Sequence, residues 1–288
     1  MSKITQALEK AARERLKREQ EQATAPAGPI TVPLAAADAS AADAVAQIQI
    51  DPHIVSAGDP HSPIAEEYRM LRTNLQSLRP RAGLKTIVVT SAVMGEGKSV
   101  TALNLALTVA RQEGLKVLLV DGDLRRSSVH RWLGLNEPPS GLSTALLNGG
   151  ALNGSLIRLK SPSLTVLPAG PTPESPAELL ESVGMRRLLA TLKVQFDLVI
   201  IDSPPVLSVS DPCILAALAD GVLLVVKSGK TQRKTVLEAQ ARLQQMKVAL
   251  LGCVLTHVER PMTSYYRYYR DYKHEKPADA SPLPPTVR

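Results

Sequence analysis

Short apolar runs alternate with longer segments of helical spacing over most of this chain. The runs are rich in leucine and β-branched residues, and they predict strands at 85–91, 116–121, 164–167, 197–202, 221–227 and 248–256. Apolar positions three and four residues apart predict helices at 62–80, 98–113, 176–193, 211–219 and 231–246. Continuous apolar strands that alternate with helices favour an α/β fold with one doubly wound, mostly parallel sheet.

The chain is predicted to have four parts. Residues 1–22 have a helix-forming composition, and two interpretations stay open: a solvated helix, or a helix that docks on a membrane-bound partner or on lipid headgroups. Residues 23–54 are rich in alanine and proline and predict a mobile linker. Residues 55–260 would form the folded domain, followed by a tyrosine-rich tail at 261–288.

The amino-acid composition indicates the type of core, the cellular location and the kind of partner to expect. Of 288 residues, 44% are hydrophobic but only 3% are aromatic, so the predicted core is aliphatic. Cys213 and Cys253 lack metal-ligand spacing and are interpreted as structural thiols in a reducing compartment. No apolar run approaches the ~18 residues that a membrane span needs, and the start of the chain is charged, so a cytoplasmic location is expected. The net charge of +7 suits an acidic partner, such as a phosphate or a membrane surface.

The stretch TIVVTSAVMGEGKSVTALN, at 86–104, predicts a strand, a phosphate-binding loop and a helix. Gly95 and Gly97 allow the backbone to curl so that its N–H groups converge on an anion. Lys98 supplies a cation for the phosphates, and the hydroxyl of Ser99 is a ligand that Mg²⁺ prefers. The predicted nucleotide-binding residues are Gly95, Glu96, Gly97, Lys98, Ser99 and Val100.

Carboxylates follow two of the predicted strands, at the sheet edge where the phosphate loop also lies. Asp121 and Asp123 follow the strand at 116–121, and Asp202 ends the strand at 197–202. Such carboxylates can hold Mg²⁺ or accept a hydroxyl proton. A helix-capping aspartate would explain one of Asp121 and Asp123, but less easily both.

Two further patterns have more than one interpretation. Glu66, Arg69 and Arg72 form a charged stripe along the helix at 62–80, and intrahelical ion pairs would explain it. Five of the six tyrosines lie close together in the tail, at Tyr265, Tyr266, Tyr268, Tyr269 and Tyr272. By itself this basic, aromatic segment could stack on single-stranded nucleic acid or lie at a membrane interface.

Taken together, five motifs in order resemble the bacterial tyrosine kinases, the P-loop autokinases of capsule and exopolysaccharide export. They are the segments EEYRMLRTNL, SAVMGEGKS, VLLVDGDLR and FDLVIIDSPP and the tyrosine cluster, and the resemblance covers about 55–272. It implies a P-loop NTPase fold with a deviant Walker A motif, of the subclass that also includes septum-site and partition ATPases. Ala92 replaces the first glycine of the usual loop, and this family tolerates that change.

The resemblance implies a role for each motif. Lys98 and Ser99 would bind ATP and Mg²⁺; Asp121, Asp123 and Asp202 would organise the metal and the acceptor hydroxyl, with Ser99, Asp121 and Asp202 nearest the metal. Asp121 is the preferred candidate for the base. The five tail tyrosines would accept phosphate from a neighbouring copy, so no nucleic acid is expected to bind. The stripe at Glu66, Arg69 and Arg72 would join subunits into a ring.

The resemblance also implies partners and a location. Family kinases either are fused to a membrane-spanning adaptor of the polysaccharide chain-length (co-polymerase) type or work with a separate one, and this chain resembles the separate kind. A cognate tyrosine phosphatase is implied as well. The protein would then lie at the inner face of the cell membrane, held there by its partner. The segment MSKITQALEKA is similar to the start of the variant found with exosortase-linked exopolysaccharide systems.

Two other functions remain as alternatives. One is a positioning ATPase of the septum-site or partition type, which has a second lysine early in the loop, where this chain has Val93. The other is a nucleotide-sensing regulator that holds ATP without turnover. The absence of that lysine and the presence of the tyrosine tail both favour the kinase.

Overall fold

The computed structural model describes residues 30–35, 47–59, 62–152, 154–160 and 162–258. The strands are β1 (Ile30–Ala35), β2 (Gln47–Ile50), β3 (Thr86–Ser91), β4 (Val117–Asp121), β5 (Ile157–Lys160), β6 (Ser163–Leu167), β7 (Leu198–Asp202), β8 (Gly221–Lys227) and β9 (Leu250–Thr256). The helices are α1 (Pro63–Ala82), α2 (Lys98–Ala110), α3 (Val129–Trp132), α4 (Leu142–Leu147), α5 (Pro176–Glu181), α6 (Val183–Gln195), α7 (Asp211–Leu218) and α8 (Arg233–Gln245). The predicted N-terminal helix at 1–22 and the tail at 261–288 lie outside the described residues.

The strands of the described region form one sheet in the order β2-β1-β5-β6-β4-β7-β3-β8-β9. From β6 to β9 all neighbours are parallel. The strands β2, β1 and β5 extend one side of the sheet in antiparallel fashion. The predicted doubly wound, mostly parallel sheet is therefore confirmed, and each of the six predicted strands is present.

Both faces of the central sheet are covered, which explains why its strands are apolar without interruption. Within β3, Ile87 and Val89 pack in a core with α2, whereas Val88 faces a second core with α6 and α7. The strand β4 divides its side chains in the same way, with Leu119 in the first core and Leu118 in the second. Side chains that alternate along a strand thus fill two aliphatic cores.

The strands β1, β2 and β5 were not predicted. β1 and β2 lie within 23–54, so the prediction of a linker fails for 30–35 and 47–54. The two strands pair with each other, and β1 also pairs with β5, through backbone hydrogen bonds that need no apolar sequence. Ile50 and Ile54 then add fully buried side chains to the first core.

Two other differences concern helices. The helix predicted over 176–193 is divided into α5 and α6 at Ser182, whose backbone leaves the helical region. The Ser182 hydroxyl accepts a hydrogen bond from the N–H of Met185 at 3.1 Å, which begins α6 with an N-cap. The helices α3 and α4 span 4 and 6 residues, too few to show a helical period.

Helix α1 packs against α2, the helix that follows the phosphate loop. The Arg72 guanidinium donates a hydrogen bond to the carbonyl of Thr108 at 3.3 Å. The preceding segment is fixed to the same helix, because the N–H of Ser56 donates to Asn104 Oδ1 at 2.8 Å and Arg111 donates to the carbonyl of Ser56 at 2.7 Å. Of the helices that the structure describes, none combines the length and apolar character needed to cross a membrane.

Candidate active site

The phosphate loop connects the end of β3 to the start of α2, where the sequence predicts it. Gly95 and Gly97 have φ angles of +82° and +88°, in the left-handed region that favours glycine. Lys98 is the first residue of α2, so the N-terminus of this helix lies at the loop. Ala92 is fully buried beneath the loop, whereas Val93 is 37% exposed.

The side chain of Glu96 fixes the shape of the loop. It is 2% exposed, and its carboxylate accepts hydrogen bonds from the N–H of Val93 at 2.8 Å, the N–H of Lys227 at 3.2 Å and the hydroxyl of Thr231 at 2.5 Å. The Thr256 hydroxyl donates to the carbonyl of Glu96 at 2.8 Å. The carboxylate of Glu96, which the sequence analysis places among the nucleotide-binding residues, thus joins the loop to the end of β8 and to Thr231, and its backbone carbonyl joins the loop to the end of β9.

Lys98 lies among the predicted carboxylates. Its Nζ is 3.1 Å from Asp123 Oδ2 and 3.5 Å from Asp202 Oδ1. Burial alone lowers the pKa of Lys98, but the charges of Asp202, Asp123 and Asp121 outweigh it, so that this pKa is raised. Lys98 is therefore a firmly charged cation at the place where a phosphate would bind.

Asp121 is fully buried and is held by backbone N–H groups. Its Oδ1 accepts from Asp123 at 3.2 Å, and its Oδ2 accepts from Ser128 and Val129, each at 3.1 Å. Burial raises the pKa of Asp121 to about 7, and the neighbouring charge of Asp202 adds to this effect against the opposing influence of Val129 and Lys98. The last residues of β4 and β7 are register partners, which explains why the two carboxylates are close.

Asp202 is the carboxylate best suited to hold a metal ion. It is fully buried, and neither of its oxygens has a hydrogen-bond partner among the described residues. Burial raises its pKa, against the opposing charge of Lys98. Apart from the ion pair that Oδ1 makes with Lys98 at 3.5 Å, these buried oxygens are available to a hard cation. Nearby, the Ser99 hydroxyl lies 3.2 Å from Lys98 Nζ and 3.0 Å from Ser128 Oγ.

The described residues do not include a group of three or more His, Cys, Asp or Glu side chains that could hold a metal ion on their own. Mg²⁺ at nucleotide sites usually takes one or two protein ligands, with phosphate oxygens and waters completing its shell. Ser99 and Asp202 fit that requirement. Asp121 fits it less well, because three backbone donors already occupy its oxygens.

An ion pair that the sequence analysis missed connects the segments after β4 and β7. Arg125 Nε lies 2.8 Å from Asp211 Oδ2, and its terminal nitrogen lies 3.0 Å from Oδ1, so that the contact is bidentate. Asp211 is fully buried, and it raises the pKa of Arg125. No short-range pattern marks this pair, since its members are 86 positions apart.

An open cavity of about 960 Å³ lies in front of the phosphate loop. Lys98, Ser99 and Asp123 line it, whereas Asp121 and Asp202 do not. Most of the remaining lining comes from residues that follow β4 and β7. They are Arg125, Arg126, Ser127, Ser128, His130, Arg131, Trp132, Glu137, Pro204, Pro205, Ser208 and Val209. The cavity is within the size range of protein ligand sites and opens to the outside of the domain.

The charged stripe on α1 is partly satisfied within the chain. Arg69 Nε donates to Glu66 Oε2 at 2.7 Å, so the intrahelical ion pair that the sequence allowed is present. Arg72 instead turns toward α2, and its Nε is buried without a hydrogen-bond partner among the described residues. The tail tyrosines at 265–272 lie outside the described residues, so the structure does not place them relative to the cavity.

Comparison with known proteins assigns the chain to a family. Residues 84–248 match the AAA domain family. Tyrosine-protein kinase YwqD of Bacillus subtilis (strain 168) is 39% identical over 217 residues, which are 75% of this chain and 91% of the relative.

Solved structures agree with this assignment. The chimerical protein CapA2B2 is 35% identical, with a TM-score of 0.69 over 74% of this chain and 93% of the other. The kinase domain of the Escherichia coli tyrosine kinase ETK is 30% identical, with a TM-score of 0.66 over 72% and 82%. A more distant match, at 26% identity and a TM-score of 0.50 over 70% and 88%, is a cobyrinic acid a,c-diamide synthase from Mycobacterium smegmatis with bound ATP analog and magnesium. The chain thus belongs to the bacterial tyrosine kinases, a family of P-loop enzymes.

Proposed function

We propose that this kinase transfers the γ-phosphoryl group of ATP to tyrosines in the tail of a neighbouring copy. The observation that carries the proposal is the position of Lys98, which is charged, surrounded by three carboxylates and open to a cavity of about 960 Å³. An ATP hydrolase needs room only for water beside the γ-phosphate. This cavity is also open to the outside of the domain, so that the side chain of a protein substrate can enter it beside the nucleotide.

Each group at the site has a proposed role in the transfer. Lys98 and the loop N–H groups bind the phosphates of ATP, and Ser99 and Asp202 hold Mg²⁺, which would neutralise charge on the β- and γ-phosphates. The tyrosine oxygen attacks the γ-phosphorus, the bond from that atom to the bridging oxygen breaks, and ADP leaves. Asp123, which lines the cavity, orients the hydroxyl, and Asp121 takes the phenolic proton after its side chain turns from its backbone donors toward the cavity.

The sequence after β9 supports a transfer between subunits. The tyrosine cluster begins nine residues after Thr256, the last residue of β9. A segment of about twelve residues spans at most ~40 Å when extended, which is enough to reach an adjacent subunit. The segment 260–276 has five Lys or Arg and two acidic residues, a net charge of +3. Each phosphotyrosine adds about −1.5 to −2, so several of them would reverse the charge of the tail.

We also propose that Glu66, Arg69 and Arg72 join subunits into a ring. The support is Arg72 Nε, a buried donor that lacks a partner among the described residues and would gain one if the side chain turned from α2 toward a neighbouring subunit. Replacement of all three residues by alanine should convert the oligomer to a monomer in light scattering. Phosphorylation of the tail should loosen the ring, and an unchanged oligomer size after full phosphorylation would contradict that part of the proposal.

The same proposal includes a membrane-spanning polysaccharide adaptor, a cognate tyrosine phosphatase and a position at the inner face of the cell membrane. Its support is membership of a family whose kinases work with such an adaptor. Co-purification of the kinase with a membrane-spanning polysaccharide adaptor from the same cells would test this part.

Incubation with Mg-ATP, followed by detection with an anti-phosphotyrosine antibody, tests the reaction. Wild-type protein should become labelled, Lys98→Met should not, and replacement of the five tail tyrosines by phenylalanine should abolish self-labelling but leave ATP binding intact. ATP hydrolysis without labelling would instead favour a positioning ATPase. Nucleotide binding without turnover would favour a sensor.

A further inference from the structure

The part of the cavity lining that follows β4 is rich in arginine. Arg125, Arg126 and Arg131 all line it, together with the hydroxyl-bearing residues Ser127 and Ser128. The bidentate contact with Asp211 compensates the charge of Arg125. The other two arginines have no such compensation.

Arg126 and Arg131 are exposed, and neither has a carboxylate partner within the described part of the chain. The terminal nitrogen of Arg126 lies 3.2 Å from the sulfur of Met94, at the outer side of the phosphate loop. Arg131 donates to the carbonyl of Ser127 at 3.0 Å, which leaves its other donors available. Two guanidinium groups are thus free to bind an anion inside the cavity.

The other charged residues of the cavity do not neutralise Arg126 and Arg131. Its lining includes four cationic side chains and two carboxylates, Asp123 and Glu137. Asp123 is already within 3.1 Å of Lys98. His130 adds no positive charge, because burial and the neighbouring Arg131 lower its pKa. The arginine side of the cavity therefore has an excess of positive charge.

This excess of positive charge does not complement the tail, the proposed substrate, before the tail is phosphorylated. The segment 260–276 has a net charge of +3, so the unmodified tail is repelled by the arginines. A phosphotyrosine has the opposite property, since arginine binds phosphate through paired, charge-assisted hydrogen bonds. Four of the tail tyrosines are in adjacent pairs, 265–266 and 268–269, so that a modified residue directly neighbours the next acceptor.

We infer that Arg126 and Arg131 form a phosphotyrosine-binding subsite beside the transfer site, and that this subsite selects a tail already carrying one phosphate. The inference rests on the proposed function, because it takes the tail as substrate. The first phosphate is then added slowly, and later ones faster, since each product residue holds the tail while a neighbouring tyrosine reacts. The cavity is open to the outside of the domain, so the tail can enter it beside the bound nucleotide.

Binding of tail peptides tests the subsite without requiring catalysis. Two fluorescent peptides covering 260–276 would be compared by anisotropy, one unmodified and one phosphorylated at Tyr268. The protein would be the full chain with its five tail tyrosines replaced by phenylalanine, so that its own tail cannot compete in a phosphorylated form. Saturating Mg-ADP would fill the phosphate loop, which excludes binding of the peptide phosphate at Lys98.

The phosphorylated peptide should bind about tenfold more tightly at low salt, as expected for charge-assisted contacts at an exposed site. The preference should weaken as salt increases. Arg126→Gln and Arg131→Gln should each reduce it, and the double variant should abolish it. Arg187→Gln removes the same charge from an exposed position on α6 outside the cavity, so it should leave the preference unchanged.

Three outcomes separate this inference from the proposed function. Equal affinity for the two peptides overturns the subsite, even if the chain labels tyrosine with ATP. A preference that survives in the double variant also overturns it, because the phosphate would then bind elsewhere. A preference lost in the double variant supports the subsite even if the chain fails to label tyrosine, and that failure would count against the kinase reaction alone.

Discussion

Replacement of Glu96 by glutamine changes one oxygen of the carboxylate that holds the phosphate loop. The oxygens of Glu96 accept from three donors, the N–H groups of Val93 and Lys227 and the hydroxyl of Thr231. Glutamine has the same shape but offers an NH₂ group in place of one oxygen. If its remaining oxygen keeps Lys227 and Thr231, the NH₂ group faces the N–H of Val93, so that two donors oppose each other.

The size of the effect follows from the burial of this side chain. Glu96 is 2% exposed, and a buried donor left without an acceptor costs about 1–3 kcal/mol. The loop can avoid that cost by leaving the conformation that binds phosphate. Because each 1.4 kcal/mol is a factor of about ten, the affinity for ATP should fall by roughly 10-fold to 100-fold. Thr231→Val removes one hydroxyl donor and leaves the two backbone donors satisfied, so it should weaken the free energy of ATP binding by about 1 kcal/mol or less.

Titration with a fluorescent ATP analogue, together with thermal unfolding of the nucleotide-free protein, measures both consequences. Glu113→Gln is the matched control, because Glu113 is exposed and lies outside the cavity. The predicted result is a large loss of nucleotide affinity for Glu96→Gln and none for the control. Wild-type affinity in Glu96→Gln, with or without a loss of stability, would refute the role of Glu96 in shaping the loop.

Two further predictions concern ion pairs that hold neighbouring segments. Asp211→Ala and Arg125→Met should each lower the free energy of unfolding. A double-mutant cycle in urea should give a coupling energy of ~1 kcal/mol or more, because Asp211 is fully buried, and additive effects would exclude a direct interaction. Burial raises the pKa of Asp220, but Lys193 and the N–H groups of Lys85 and Thr86 outweigh it and lower that pKa. The stability that Asp220 contributes is therefore present above its ordinary carboxyl pKa and is lost as pH falls through the lowered value. Asp220→Asn should lower the free energy of unfolding by ~1 kcal/mol at neutral pH and should make that free energy less dependent on pH in the acid range. A pH dependence as steep as that of the wild type would contradict this prediction.

The parts of the fold that the sequence predicts are those with continuous local patterns. The strands β4 and β7 are apolar runs that each end in an aspartate of the candidate site, and both cores accept the alternating side chains. The left-handed backbone of the phosphate loop can be predicted from its glycines, because few other residues adopt that conformation. Because β3 and β7 are parallel neighbours that end at the same edge of the sheet, Lys98 and Asp202 are expected to lie close together.

The features that the sequence does not predict depend on contacts between distant residues. β1 and β2 are short strands that pair with each other, and β1 also pairs with β5, but both lie within an alanine- and proline-rich segment that resembles a linker. Arg125 and Asp211 are 86 positions apart and lie together only in the folded structure. The direction of the Glu96 side chain depends on Thr231, 135 positions later, and no local pattern signals it.

Transfer between two complementary variants tests the central claim most directly. Lys98→Met retains the tail but lacks the lysine that binds phosphate, whereas the variant with five phenylalanines retains the site but lacks acceptors. With Mg-ATP, neither should become labelled alone. After mixing, mass spectrometry should find phosphotyrosine within 265–272 of the Lys98→Met chain. Absence of phosphate from that tail, while the second variant hydrolyses ATP, would contradict phosphorylation between subunits.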